Sequence, residues 1–218
     1  MNEQSPQIIP ITLDLKLDLG CGPNKRPGFV GADSIAFPGV DVVTNLVDPV
    51  YVPLPDEFKH LDGLFERKRI GFEEWPWPND SVSEVHCSHF VEHLDHNAKN
   101  PERVHFFNEL WRVMKPGAKA TIITPFWASC RAYGDYTHAD KPVAEFAWYY
   151  LKRDWRMQNA PHNDVAHVKE GYLCNFEVTW GYALHPELLN RNQEYQNHAL
   201  TFWKEAAQDM HATLVKLP

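Results

Sequence analysis

Nowhere in its 218 residues does the chain carry an apolar run of membrane-spanning length. A helical span needs about 20 consecutive apolar residues, so a membrane-embedded protein is not expected. Internal repeats and low-complexity tracts are also missing, which argues against a solenoid or a disordered scaffold. Positive charge is scarce: 21 Lys and Arg stand against 29 Asp and Glu, a formal charge of -8. That balance disfavours non-specific contact with nucleic acid or an anionic membrane, because both demand cations. The dense basic candidates are Lys25-Arg26 and Arg67-Lys68-Arg69, and the second reads most simply as a solvated surface run. Cysteine is sparse too. Cys21, Cys87, Cys130 and Cys174 show no close pairing, and no signal-peptide pattern is read. The expectation is four reduced thiols in a cytoplasmic protein.

Against these absences, 44% of the residues are hydrophobic, enough for one substantial core. Residues 1–13 read as a polar N-terminal arm, with Pro6 and Pro10 opposing regular structure. Residues 14–218 read as a single domain. Its most informative stretch is Leu17-Asp18-Leu19-Gly20-Cys21-Gly22-Pro23-Asn24, an apolar segment entering two glycines one residue apart. Glycine lacks Cβ, so the backbone can turn sharply and approach a ligand. Asp33 closes the next apolar run, where a carboxylate can accept ribose hydroxyls.

Three details oppose a nicotinamide dinucleotide. Lys25 stands where its fingerprint wants a third small residue. Asp33 follows Gly20 by 13 positions, whereas the dinucleotide carboxylate follows by about 20. Asp18 lies two residues before Gly20, where it would repel a diphosphate. A ligand with a cationic amino-acid end suits this neighbourhood better. S-adenosylmethionine combines such an end with a ribose and an adenine.

Further segments follow in order: Trp75-Pro76-Trp77-Pro78-Asn79-Asp80-Ser81-Val82, then Ser88-His89-Phe90-Val91-Glu92-His93, then Arg112-Val113-Met114-Lys115-Pro116-Gly117. This series resembles the class I S-adenosylmethionine-dependent methyltransferases, in particular the small type 11-like group. The resemblance covers about residues 15–125. Trp77 departs from the usual Phe, Asn79-Asp80 inverts the usual order, and Ala118 replaces a glycine. It implies an α/β fold: a single Rossmann-like, doubly wound, seven-stranded sheet, mostly parallel with an antiparallel last strand. The stretch Asn24 to Gly28 is too short for a full crossover helix, so the first helix is expected to be shortened to a turn.

Along the chain, strands are expected at Lys16–Leu19, Phe29–Asp33, Asp41–Thr44, Val82–Cys87, Ala118–Thr124, Asn175–Leu184 and Ala212–Leu217. Helices are expected at Pro101–Met114, Ala144–Trp155 and Glu194–Met210. Residues 47–74 read as an insertion able to act as a lid, with Phe58 to Arg69 a candidate helix inside it.

In open α/β sheets a ligand sits beyond the C-terminal strand ends. By resemblance, the cofactor S-adenosyl-L-methionine would meet Asp18, Gly20, Cys21 and Gly22 at its methionine end and Asp33 with Ser34 at its ribose. Its adenine would meet Asn45, Leu46 or Phe72, and its methyl would lie near Ser88 and His89. Tyr133-Gly134-Asp135-Tyr136-Thr137-His138 follows the fifth strand and should overhang that methyl. There His138 could take an acceptor's proton with Asp135 orienting it, although both residues could equally hold a loop. Histidines and acids at 86, 89, 92, 93 and 96 invite a metal reading. His86 falls within a strand and so leaves that face, and no metal is expected. His162, Asp164 and His167 make a weaker polar cluster. The expected activity is methyl transfer to an O or N atom of a small-molecule acceptor, with no nucleic-acid or membrane partner. The alternatives are a non-catalytic S-adenosylmethionine or S-adenosylhomocysteine-binding module and a methyltransferase of macromolecules. Ser88-His89-Phe90-Val91 stands where the amino-methylating nucleic-acid enzymes carry an Asn-Pro-Pro-Tyr or Asp-Pro-Pro-Tyr string.

Overall fold

The computed structural model describes residues 14–51, 53, 69–95, 101–139, 141–162 and 171–218. Two central strands organise them. β1 (Leu15–Leu19) buries nearly every residue, with Leu17 and Leu19 wholly inaccessible. Such continuous burial marks a parallel strand covered on both faces. β6 (Val82–Ser88) lies parallel to it, matching Leu17 to Val85 and Leu19 to Cys87. β2 (Val30–Asp33) and β3 (Val42–Val43) extend the sheet on one side of β1. β7 (Met114–Pro125), β9 (Ala207–Lys216) and β8 (Phe176–Leu184) extend it beyond β6. The order is β3-β2-β1-β6-β7-β9-β8. β9, the last strand in the chain, runs antiparallel to both neighbours and is the sheet's one reversed strand. This is the seven-stranded, mostly parallel sheet expected from the sequence.

α1 (Glu102–Val113) connects β6 to β7 and buries Phe106, Phe107, Leu110 and Val113 against the sheet. Burying side chains of this kind is worth roughly 1.5–3 kcal/mol each. Short helices α2 (Arg131–Gly134), α3 (Glu145–Tyr149) and α4 (Arg153–Asn159) follow β7, and α5 (Gln193–Phe202) connects β8 to β9. No helix among the described residues is long and apolar enough to cross a membrane.

Two expectations need correction. The helix read over Ala144–Trp155 is two helices, because Leu151 gives its carbonyl to the N–H of Phe176 at the start of β8 (3.0 Å). The helix read over Glu194–Met210 ends at Phe202, and 207–210 belong to β9, where Met210 pairs with Thr124. The β1–β2 connection is a turn, as the sequence led one to expect, and the β2–β3 connection holds no helix either.

Within 47–74, β4 (Pro49–Tyr51) and β5 (Arg69–Phe72) form a separate antiparallel pair. Arg69 is therefore in a strand. The rest of the helix read over Phe58 to Arg69 lies outside the described residues, as do the arm 1–13, His96, Asp164 and His167.

Candidate functional site

The glycine turn after β1 is tied down by carboxylates. Gly20 and Cys21 both donate to the carbonyl of Ala32 (2.9 and 3.2 Å). Asp33 accepts the N–H of Gly22 at Oδ2 and that of Ile35 at Oδ1, each at 2.9 Å. Asp18 is 4% exposed, with Oδ1 against His86 Nδ1 (2.9 Å) and Oδ2 accepting the N–H of Arg26 (2.6 Å). Asp18 thus braces the turn from beneath, and both its oxygens are engaged by the protein. Gly20 and Gly22 have φ of +63° and +54°, the left-handed region that favours glycine. A Cβ on Gly20 would come within 2.5 Å of the Phe90 ring, whereas one on Gly22 would meet nothing.

Above the turn lies a cavity of about 130 Å³. Gly20, Asp33, Ser34, Asn45 and Leu46 line it, so five positions picked from sequence converge on one space at the ends of β1, β2 and β3. Thr44, Val47, Phe90, His93, Leu94 and Glu102 complete its wall. Phe72 is not part of it. Its ring stacks on His105 with centroids 4.7 Å apart. Cys21, Gly22, Asp18 and Ser88 do not line the cavity; the first three shape the turn that bounds it. Burial, together with the field of Asp18, pushes the Cys21 thiol up from its ordinary range.

A second, polar cavity of about 570 Å³ adjoins it through a shared residue, His93. His89, Glu92, His93, Arg131, Asp135 and His138 contribute its titratable groups. His89 directly follows β6 with φ of +54°, a strained position for a residue with a Cβ. Its Nδ1 meets Glu92 Oε1 at 3.1 Å, and that bond raises the histidine's pKa against the opposing effect of burial. Arg131 pairs with Asp209 at 3.0 Å. His138 Nδ1 faces the carbonyl of Ala132 (3.2 Å), and its Nε2 is 3.9 Å from Asp135. Asp135 therefore does not hydrogen-bond His138. It holds Thr137 instead, through the backbone N–H (2.8 Å) and the hydroxyl (2.7 Å). Sequence spacing did not reveal that His138 meets Glu92 and His93 across 45 positions; only the fold brings them together.

α2 separates this cavity from a wider apolar groove of about 670 Å³, walled by Trp127, Tyr133, Leu200, Phe202 and Trp203. No sequence signal marked that groove.

The strand order, with β9 reversed, is a Rossmann-like α/β fold of the kind that solved S-adenosylmethionine-dependent methyltransferases also have. No protein-family model and no curated protein matches the sequence. Among solved structures, it is similar to a SAM-dependent methyltransferase from Archaeoglobus fulgidus, with 20% identity over 93% of this chain and 86% of that one, at a TM-score of 0.53. A SAM-dependent methyltransferase from Methanosarcina mazei aligns over 96% of this chain and 98% of its own, with 15% identity and a TM-score of 0.47. The first of these likenesses establishes the fold.

Proposed function

We propose that the protein is an S-adenosylmethionine-dependent methyltransferase acting on an oxygen or nitrogen of a small-molecule acceptor. One observation carries this reading: the cavity lined by Gly20, Asp33, Ser34, Asn45 and Leu46 shares the His93 wall with a polar cavity wide enough for a second molecule. Asp33 uses one lone pair on each oxygen for the turn, and a carboxylate has about four acceptor positions, so two remain for ribose hydroxyls. Leu46, Val47 and Leu94 offer an apolar slot for adenine. His93, which lines both cavities, would then stand between the cofactor and the acceptor.

Methyl transfer asks little covalent work of the protein. The acceptor lone pair forms the new bond to carbon while the C–S pair returns to sulfur. Alignment of the two reactants is the main contribution, and such positioning is worth up to about 7–11 kcal/mol of barrier. A proton leaving the acceptor would pass to the cluster containing His89 and His138. The -8 charge favours a small acceptor over nucleic acid.

Calorimetric titration with S-adenosylhomocysteine tests the reading. A 1:1 complex is expected, with no competition from NAD. Asp33→Ala should weaken it by about 1–3 kcal/mol, the loss typical of hydrogen bonds to a charged group. Absence of heat at ligand concentrations near ~1 mM, the weak end of the usual affinity scale, would refute cofactor binding. Tight binding with no turnover across a broad acceptor panel would instead make the protein a binding module.

A further inference from the structure

We propose that Glu92, His93 and His138 bind a divalent transition-metal cation, of the Mn²⁺, Co²⁺ or Zn²⁺ type, within the polar cavity. Among the described residues, one side-chain ligand atom from each of these three lies within 4.8 Å of the other two. The hydrogen bonds around them leave each of the three groups one atom with a lone pair that no donor among the described residues engages.

The argument begins with the tautomers. His138 Nδ1 faces a carbonyl oxygen, which only accepts, so that nitrogen carries the hydrogen. His93 Nδ1 lies 3.2 Å from both the carbonyl and the hydroxyl oxygen of Thr137. That hydroxyl spends its own hydrogen on Asp135 at 2.7 Å, so it too can only accept from His93. Both rings therefore hold their proton on Nδ1 and present Nε2 as the lone-pair nitrogen. This is the backing that metal-bound histidines ordinarily have, with the far N–H given to a carbonyl.

Glu92 supplies the third group. Its residue is 3% exposed, and Oε1 is engaged by His89. Oε2 is buried and has no hydrogen-bond partner among the described residues. A buried carboxylate oxygen without a donor is costly unless a cation compensates it. The field of the buried Arg103 reaches Glu92, but its Nη2 points to the carbonyl of Lys141 at 3.5 Å. Two imidazoles and one carboxylate form a donor set suited to a first-row divalent ion. Ligands at about 2.0–2.2 Å from one ion stand roughly 3–4.4 Å apart, so small torsional shifts close the present spacing. His93 is exposed and can make that adjustment, while His138 is largely buried and held in place by the Ala132 carbonyl.

Three protein ligands leave coordination positions open toward the cavity. An acceptor oxygen placed there would lose its proton more readily, as metal-bound water does, the proton passing to cavity water because a ligated His138 has no lone pair left to take it. This role rests on the methyl-transfer reading above, whereas the ion site itself does not.

The test strips the whole chain with EDTA, dialyses it, and titrates Co²⁺ by visible absorption and Mn²⁺ and Zn²⁺ by calorimetry. One ion per chain is expected. Glu92→Gln and His138→Ala should each weaken binding by more than ~100-fold, since even partners of metal ligands typically cost 10–100-fold. His198→Ala, at an exposed histidine of α5, should bind like the parent and controls for adventitious surface imidazole. Circular dichroism checks that each variant is folded. No stoichiometric binding by the parent, or undiminished binding by Glu92→Gln, would overturn the site and favour shared protons among the three groups. Titration of S-adenosylhomocysteine into the EDTA-treated chain reads the cofactor site separately, so loss of either reading leaves the other standing.

Discussion

At the scale of residues, the turns around β1 and β2 are held by aspartates doing work that a helix would do elsewhere. Asp18 accepts from Arg26, Asp33 from Gly22 and Ile35, and Asp41 from Gly31 (2.8 Å) and from Lys25 Nζ (2.7 Å). Hydrogen bonds to charged groups contribute about 1.5–3 kcal/mol each, enough to fix a loop that lacks a crossover helix. Lys25, through its hydrogen bond, holds the Asp41 carboxyl below its usual range. The two glycines of the turn differ in what surrounds them. Gly20→Ala adds both left-handed strain and a clash with Phe90, while Gly22→Ala adds strain alone. Left-handed strain costs about 1–2 kcal/mol. Gly22→Ala should therefore lower stability by about that amount and retain S-adenosylhomocysteine binding. Gly20→Ala should lose more, and lose binding as well, because Phe90 also lines the cavity. Chemical denaturation and calorimetry on the pair would check this. Equal losses at both positions would mean that the Phe90 contact does not matter.

At the scale of elements, α1 latches the segment before β6. Arg112 forks onto Glu109 with Nε (2.8 Å) and Nη2 (2.7 Å), and also donates to the carbonyls of Trp75 (3.1 Å) and Trp77 (3.0 Å) and to Asn79 (2.8 Å). Glu109 in turn accepts the N–H of Trp75 at 2.7 Å, and Trp75 Nε1 donates to the carbonyl of Leu46 at the proposed cofactor cavity. A lysine has no planar fork to span these partners. Arg112→Lys should destabilise the protein by about 1–3 kcal/mol, because the part-buried charge stays while several of its hydrogen bonds are lost. The melting temperature would show it, and an unchanged value would reduce the latch to a surface contact. Both ends of this latch stood in the sequence as a run of Trp and Pro and an Arg-Val-Met-Lys-Pro-Gly string, yet their contact did not, since it joins positions over 30 apart.

The same limit decided what could be read elsewhere. Strands β1, β2 and β6 were legible because their apolar runs are local, and Gly20 with Asp33 because turn chemistry is local. The 207–210 stretch, Ala-Gln-Asp-Met, has no strand signal of its own; pairing with Pro125 and Thr124 overrides its helical tendency. The helix break at Leu151 is likewise imposed from outside, by β8. Glu92 and His93 were visible as neighbours, but His138 joins them only through the turn after β7.

At the scale of the whole molecule, the two halves of the sheet are built differently. Beyond β6, α1 packs on the sheet, and β7, β9 and β8 pair over long antiparallel registers. On the other side, β2 and β3 are four and two residues long, and loops join them to β1 and to each other. Few buried contacts and short ladders mark the region of a protein that opens most easily. The proposed cofactor cavity is made from this weaker half, at Gly20, Asp33, Ser34, Asn45 and Leu46. A ligand that binds only the closed form stabilises it by RT ln(1 + [L]/Kd), about 2.7 kcal/mol at 100 times Kd. Amides of residues 20–47 should therefore exchange with solvent up to ~100-fold more slowly with S-adenosylhomocysteine at that excess. Those of β7, β8 and β9 should slow much less wherever they exchange through openings that leave the cavity intact. Hydrogen exchange read by mass spectrometry would distinguish the cases. Uniform slowing across the sheet would mean that the two halves open together, and slowing confined to β8 and β9 would place the ligand somewhere other than the glycine turn.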